Sequence, residues 1–369
     1  MYIALGVLLL PLCLLVQTGD ETEGADEILG AVDLSEWDEW FEEQAPEIGF
    51  RPSDFAYEIA GASENESGAA LFDRLRAALQ PAWKTAVGKC ALFLGIAVIG
   101  ATLKGLHPTS QTQETASAAF RAATAGVVFL AVATEMRTAA RALSSANDTA
   151  EILLPALLGI LTLCGTENTA GAVSASFTLY ASFVLKTLGT AVTPLACIGG
   201  ILAAMDASES ARLATIGRLL IRAARWILGV TGALFGVWSV VRGAAAASAD
   251  GFLLRTVRFA AGSLPILGGI AAESAEAAYQ CLMLAKNAVG LSGVVLIVLL
   301  GAKPVLSAFL TRCALRGARA LSEPLAGRSY AELLHALSDV MQVLMLSELA
   351  AYGMLALSVS PVLGIGRFA

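Results

Sequence analysis

Histidine and cysteine are scarce in this chain, and neither is arranged as a metal site. The 369 residues include two histidines, His107 and His335, and six cysteines. There is no CxxC pair, Cys/His cluster or HExxH sequence, which argues against a zinc or iron–sulfur site and against a zinc metalloprotease. Walker A and GxGxxG sequences are also absent. We therefore expect no cofactor, and no ATP hydrolysis by this chain itself.

Charged residues are few as well, at 15% of the chain against 56% hydrophobic residues. The mean hydropathy is +0.70. One soluble core cannot hide so much apolar surface, whereas a lipid bilayer solvates it directly. The composition changes to Ala, Leu, Gly and Val near residue 71. We predict an all-α fold, in which residues 71–369 form a polytopic transmembrane helical bundle.

About eight membrane-crossing helices are predicted from the apolar runs. Their ranges are 87–106, 116–134, 152–166, 168–185, 187–205, 226–241, 287–302 and 340–363. Only a tight polar link, GTENTAG, joins the third and fourth, so 152–185 is alternatively a re-entrant hairpin. Residues 243–286 are broken by Pro265 and by Gly268 and Gly269, and broken segments survive at membrane depth only inside protein or beside a cavity.

Basic residues are nearly missing from 18–66, which holds sixteen acidic residues and only Arg51. Such a segment repels nucleic acid, so we expect no nucleic-acid partner. The short apolar run 2–16 is typical of a signal peptide, predicted here as residues 1–17. Residues 18–70 then form a short acidic extracytoplasmic segment.

Within that segment, the sequence LSEWDEWFEE places apolar residues at helical spacing: Leu34, Trp37, Trp40 and Phe41. Ser35 and Asp38 resemble a capping box at the start of this helix. Two interpretations stay open. The helix docks on a partner protein or on the membrane surface, or it packs on its own membrane domain.

Basic residues concentrate in two intervals between predicted spans, 206–225 and 303–339. With residues 18–86 outside, the predicted crossings place both intervals in the cytoplasm, in agreement with the positive-inside rule. Arg218, Arg222 and Arg225 share one helical face of the first interval. That pattern favours a membrane-surface helix attracted to anionic lipid, with a cytoplasmic protein partner as the alternative.

Ionisable residues inside apolar segments are candidate functional groups, because they are expensive in a membrane. Glu348 lies in the run 340–363, and it belongs either to a proton or substrate path or to a buried ion pair. Asp250 and Gly251 suggest a turn, followed by Arg255 and Arg258 on a helix. These residues either bind an anion or hold a structural ion pair.

Gly290-Leu291-Ser292-Gly293 matches the GxSG nucleophile sequence of rhomboid-type intramembrane proteases. His335 lies downstream as a candidate base. Small residues at such a position also permit close helix packing, which is the simpler interpretation.

Several stretches resemble the stage III sporulation protein AE family of endospore-forming bacteria. Its DGxxLRTxRF, xIPxLG-like and LLKNxVGxxGV sequences are matched by DGFLLRTVRF, SLPILGG and MLAKNAVGLSGV between residues 250 and 294. Its GAVSA core is matched within GTENTAGAVSASFTLY. The similarity extends over roughly 71–365, and the acidic segment resembles the family only in character.

The resemblance implies a non-enzymatic, permease-like subunit of the transport complex that joins mother cell and forespore. It implies a location in the mother-cell membrane surrounding the forespore. The implied partners are other stage III sporulation membrane and ring subunits, a separate cytoplasmic ATPase, and membrane lipid. The helix with Trp37 and Trp40 would meet ring subunits between the two membranes. The alternatives are a stand-alone secondary transporter that uses Glu348, and the intramembrane serine protease.

Overall fold

The computed structural model describes residues 29–30, 34–44, 46, 51–61, 83–85, 87–99, 102, 110–204, 211–262, 268–326 and 328–363. Every element in these ranges is a helix. The predicted signal peptide, residues 1–17, lies outside the described residues. Two short helices, α1 (Ser35–Gln44) and α2 (Pro52–Gly61), come first. They are followed by a helical segment at 87–99.

Long helices make up the rest of the described fold. They are α3 (Ser110–Leu163), α4 (Glu167–Leu179), α5 (Thr193–Ala204), α6 (Ala211–Gly262), α7 (Gly268–Ala326) and α8 (Arg328–Leu363). Two π-helical segments, Tyr180–Leu185 and Leu188–Val192, join α4 to α5.

In the described part of the chain, five helices are long and apolar enough to cross a membrane. They are Ala133–Leu163, Glu167–Ala203, Thr215–Gly243, Gln280–Glu323 and Tyr330–Val359. Six of the eight ranges taken from the sequence fall mainly on these five helices, and range 116–134 overlaps them only at residues 133 and 134. The remaining range, 87–106, is helical where the structure describes it, at 87–99 and 102, and it is not one of the five. The helices indicate a membrane protein built wholly of α-helix in its described part.

Two pairs of sequence-derived spans are continuous in the structure. Ranges 116–134 and 152–166 lie on the single helix α3, and ranges 168–185 and 187–205 lie on the single rod from α4 to α5. Each pair therefore forms one continuous helix, and the expected break between its two ranges was wrong. Hydropathy shows where apolar residues stop, but a helix ends only where its backbone leaves the helical conformation.

Pro194 is accommodated in that rod by the π-helical segment that precedes it. Proline lacks an N–H group, and its ring collides with the carbonyl four residues earlier in a regular helix. The wider turns of Leu188–Val192 relieve the collision. Thr193 Oγ1 donates a hydrogen bond of 2.9 Å to the Leu188 carbonyl. The helix therefore continues through Pro194, although proline usually ends a helix.

A three-residue turn reverses the chain between α3 and α4. Gly165 has φ +67°, a left-handed conformation that favours glycine. The Gly165 N–H bonds the Thr162 carbonyl and the Thr166 N–H bonds the Leu161 carbonyl, both at 3.0 Å. This is the Schellman arrangement that ends helices at glycine. The tight polar link in the sequence is thus a helical hairpin.

The expected turn at Asp250-Gly251 was wrong, because α6 continues unbroken through these residues to Gly262. The predicted interruption at Pro265 lies outside the described residues. Helix α7 begins beyond it at Gly268. Residues 211–225 also belong to α6, so the basic interval and the apolar span after it are one rod of 52 residues.

Helices α7 and α8 form the centre of the bundle and pack at very short range. A β-carbon added at Gly301 would lie 2.6 Å from Cγ of Tyr352, so α8 sits directly on the α7 backbone there. The Tyr352 hydroxyl then donates to the Ala142 carbonyl of α3 at 3.1 Å. Glycine at this contact lets three helices meet around one tyrosine.

Replacing Gly301 by alanine is expected to destabilise the chain by about 2 kcal/mol, because Tyr352 must move to make room. Gly317 on the same helix has open space around it, so Gly317→Ala is the matched control. The control should be neutral or stabilising by about 0.5 kcal/mol through helix propensity. Thermal unfolding in detergent measures both variants. Equal stability of the two would contradict the close contact.

The acidic N-terminal helix packs on its own bundle. Trp37 and Phe41 are fully buried, and Trp40 is partly buried. Trp37 Nε1 donates a 3.1 Å hydrogen bond to the Ile152 carbonyl of α3. The structure therefore agrees with the second interpretation, in which this helix packs on its own membrane domain. The side chains of Trp37 and Phe41 are not free to dock on a partner. Amphipathic spacing predicts that one face of a helix is buried, but it does not show which surface that face packs against.

Asp38 of α1 holds the start of the next helix, α2. Its two carboxylate oxygens accept hydrogen bonds from the backbone N–H, at 3.0 Å, and the hydroxyl of Ser53. Ser53 lies in the first turn of α2, where backbone N–H groups lack partners within the helix. Asp38 thus caps the neighbouring helix and fixes α2 beside α1.

Candidate functional site

An ion pair lies between three helical elements near one end of the bundle. Lys89, from the 87–99 segment, pairs with Glu135 of α3 and also donates to Thr311 Oγ1 of α7 at 3.1 Å. Ser307 Oγ donates to the other carboxylate oxygen of Glu135 at 3.3 Å. Glu135 is buried, so its charge is satisfied by these contacts rather than by bulk water.

Glu348 of α8 lies in the interior close to this ion pair. Its side chain is 1% exposed, and it is close enough to Glu135 for the two carboxylates to interact. Among the described residues, Glu348 Oε2 has no hydrogen-bond donor. Tyr352, one turn further along α8, is also within electrostatic range. This part of the bundle therefore holds two buried carboxylates and a partly buried lysine amid apolar residues.

A second buried cation, Lys286, lies on α7 toward the α3–α4 turn. Its side chain is fully buried, and it is close enough to Cys164 to interact electrostatically. Cys164 lies in that turn, and its Sγ atom is 3.5 Å from the Leu282 carbonyl of α7. Lys286 is thus fixed where the turn between α3 and α4 meets α7.

The GxSG residues of α7 form a packing surface. The Ser292 hydroxyl is fully buried and donates to the Val289 carbonyl of its own helix at 2.9 Å. A β-carbon added at Gly290 would lie 2.9 Å from Leu363, and one at Gly293 would lie 3.5 Å from Trp37. His335 is exposed on α8. These contacts favour helix packing over a catalytic serine.

The basic intervals of the sequence come together in the structure. Arg225 of α6 lies 3.1 Å from Asp339 of α8, and Arg312 of α7 is within electrostatic range of both. Arg222 and Arg218 are exposed on α6, one and two turns before Arg225 respectively. The two arginine-rich segments therefore meet at one end of the bundle.

The structure places some of the sequence-derived candidates and leaves the side chains of others undescribed. Glu348 and Arg225 have defined neighbours in the core and at the bundle end. The backbone of α6 is helical at Asp250, Arg255 and Arg258, but their side chains lie outside the described part of the chain. Buried Glu135 and Lys286 were missed as site residues, although each is an ionisable residue beside an apolar run, the same signal that marked Glu348.

Comparison with known protein families identifies the family of this chain. The profile of the family described as Stage III sporulation protein AE (spore_III_AE) matches residues 52–366, most of the chain. The chain belongs to the stage III sporulation protein AE family. The match includes the whole described bundle from α2 to α8, and with it the Lys89–Glu135 pair, Lys286 and Glu348.

A curated relative of the AE family is similar over part of the chain. It is the stage III sporulation protein AE of Bacillus subtilis strain 168, which is 32% identical over 183 residues. The match covers 47% of this chain and 44% of that protein, so it spans less than half of the relative's length. No solved structure matches.

Proposed function

We propose that this AE-family chain is a non-enzymatic, permease-like, multi-pass subunit of the transport complex that links mother cell and forespore. The observation that carries the proposal is the group of ionisable residues in the core of an apolar helical bundle: Lys89, Glu135 and Glu348. Burying such groups is costly, and in membrane proteins they commonly mark paths or partner contacts. Membership of a sporulation family supports the biological setting.

The location and partners belong to the same proposal. The chain resides in the mother-cell membrane around the forespore, with residues 18–70 on its extracytoplasmic side. Other stage III membrane and ring subunits surround it, and a separate cytoplasmic ATPase supplies energy. The end of the bundle with Arg225 and Arg312 faces the cytoplasm, in agreement with the positive-inside rule. This end contacts anionic lipid headgroups through exposed Arg218 and Arg222.

The test is deletion of the gene in its host followed by complementation. Spore yield should fall sharply, with arrest after engulfment, because no other subunit of the complex would replace the missing one. The natural chain and the Ser292→Ala/His335→Ala variant should restore it equally. Normal sporulation of the deletion strain would sink the proposal, and failure of the Ser292→Ala/His335→Ala variant, at normal protein level, would favour catalysis.

The second candidate is a stand-alone secondary transporter, and Glu348 is the observation that favours it. The carboxylate is buried, and one of its oxygens lacks a hydrogen-bond donor in the described part. Glu348→Gln keeps the shape but cannot carry a proton. In vesicles that contain this chain without other subunits, a proton flux that Glu348→Gln abolishes would support that candidate.

A further inference from the structure

Helix α6 presents an apolar outer face of the length that a bilayer requires. Arg225 and Arg242 bound this face and are 17 residues apart, which is about 26 Å of helix. The hydrocarbon core of a bilayer is about 30 Å thick. The exposed apolar residues between them are Trp226, Val230, Leu234, Val237, Trp238, Val240 and Val241. The Arg242 guanidinium lies 5.3 Å from the Trp238 ring centre, a combination suited to the membrane–water boundary.

Contacts through α8 place α3 at the same depth. Gly232 lies near the middle of the α6 apolar face, and a β-carbon there would be 3.1 Å from the Met354 methyl group. Two residues away on α8, Tyr352 donates to the Ala142 carbonyl of α3. Ala142 therefore lies at the level of the middle of the α6 face.

The outer side of α3 at this depth is polar. It is formed by exposed residues at helical spacing, here named the α3 polar face: Arg137, Arg141, Ser144, Asp148 and Glu151. Four of the five are charged. At the depth where α6 exposes leucine, valine and tryptophan, α3 thus exposes both cations and carboxylates. Lipid hydrocarbon cannot solvate such residues.

Two neighbouring elements extend this contrast. Exposed Lys186 lies between the two π-helical segments, six residues beyond Tyr180, whose ring is 6.2 Å from that of Phe235 on α6. Helix α1 is fixed by Trp37 to Ile152, the residue after Glu151. The carboxylates of α1 on its outer side are exposed and need water: Glu36, Glu39, Glu42 and Glu43.

We propose that the α3 polar face borders a water-filled passage within the membrane domain, open to small charged solutes. The inference rests on the membrane location proposed above, and it names which side of the bundle a permease-like subunit would use. Water is favoured over a packed protein surface because like charges are neighbours here. Arg137 and Arg141 are one turn apart, as are Asp148 and Glu151, and water screens such pairs.

The test compares two single cysteines at matched depth, in the full chain in native membranes. Ser144→Cys lies on the α3 polar face, two residues from Ala142. Leu234→Cys lies on the apolar α6 face, two residues from Gly232. Each is treated with a membrane-impermeant trimethylammonium methanethiosulfonate, and the labelled peptide is identified by mass spectrometry, so the natural cysteines stay in place.

The cysteine at 144 should react more than about tenfold faster than the one at 234, because the reagent attacks the thiolate and a thiol in hydrocarbon stays protonated. Protection of both positions would overturn the passage and leave the membrane location standing. Equal fast labelling of both would instead overturn the membrane location of α6. Labelling at 144 that begins only after detergent extraction would show a packed protein interface and also overturn the passage.

Discussion

Replacing Lys89 by methionine is expected to lower the free energy of unfolding by about 3 kcal/mol. The change removes the cation that pairs with Glu135 and leaves a buried carboxylate whose charge the Ser307 hydroxyl does not balance. An uncompensated buried charge is costly, and Thr311 loses its donor at the same time. Denaturant titration of the detergent-solubilised chain, followed by tryptophan fluorescence, measures the loss.

Two further variants make this expectation specific. Lys84 is exposed a few residues earlier, so Lys84→Met should change stability by less than about 0.5 kcal/mol. The double replacement Lys89→Met/Glu135→Met should recover most of the loss, because an apolar pair of similar volume needs no charge compensation. If the double variant were as unstable as the single one, packing rather than charge would explain the effect.

Replacing Trp37 by alanine is expected to release α1 from the bundle, with a loss of about 4 kcal/mol from the buried ring and its hydrogen bond. The ring lies against Gly293 of α7, and its N–H reaches the Ile152 carbonyl of α3. Because α1 also caps α2 through Asp38, both short helices should loosen together. Cleavage by a glutamate-specific protease, which has several sites on α1, reports the release.

Trp83 offers the matched control, since its side chain is 61% exposed. Trp83→Ala should leave the cleavage rate of α1 unchanged. Trp37→Phe keeps most of the ring and loses only the N–H donor, so it should cost about 1 kcal/mol and give an intermediate rate. Unchanged protection of α1 in the Trp37→Ala variant would mean that Phe41 and α2 suffice to hold it.

Hydropathy predicted the class of fold well but not the continuity of its helices. Residues 135–151 resemble a polar loop in the sequence because they include Glu135, Arg137, Arg141, Asp148 and Glu151. In the structure these residues are helical, and Glu135 is neutralised by Lys89, 46 positions earlier. A single sequence does not reveal such a distant partner, so charged residues between two apolar runs do not by themselves show where a helix ends.

The candidate site shows the same division between local and distant information. Glu348 could be selected from the sequence, since it is an acidic residue inside an apolar run. Its proximity to Glu135 depends on how α3, α7 and α8 assemble. Likewise, the spacing of Trp37 and Phe41 predicted an amphipathic helix. The sequence does not show which surface covers that helix. In the structure this surface includes the Ile152 carbonyl, 115 residues away, which accepts a hydrogen bond from Trp37.

The length of α6 has a mechanical consequence. Beyond Arg242, at the edge of its apolar face, the helix continues for 20 residues to Gly262, or about 30 Å. A stiff rod that is held near one end magnifies rotation at the other. A tilt of about 10° at Arg242 would displace Gly262 by about 5 Å. Small rearrangements among the buried helices would therefore produce large displacements at the end of α6.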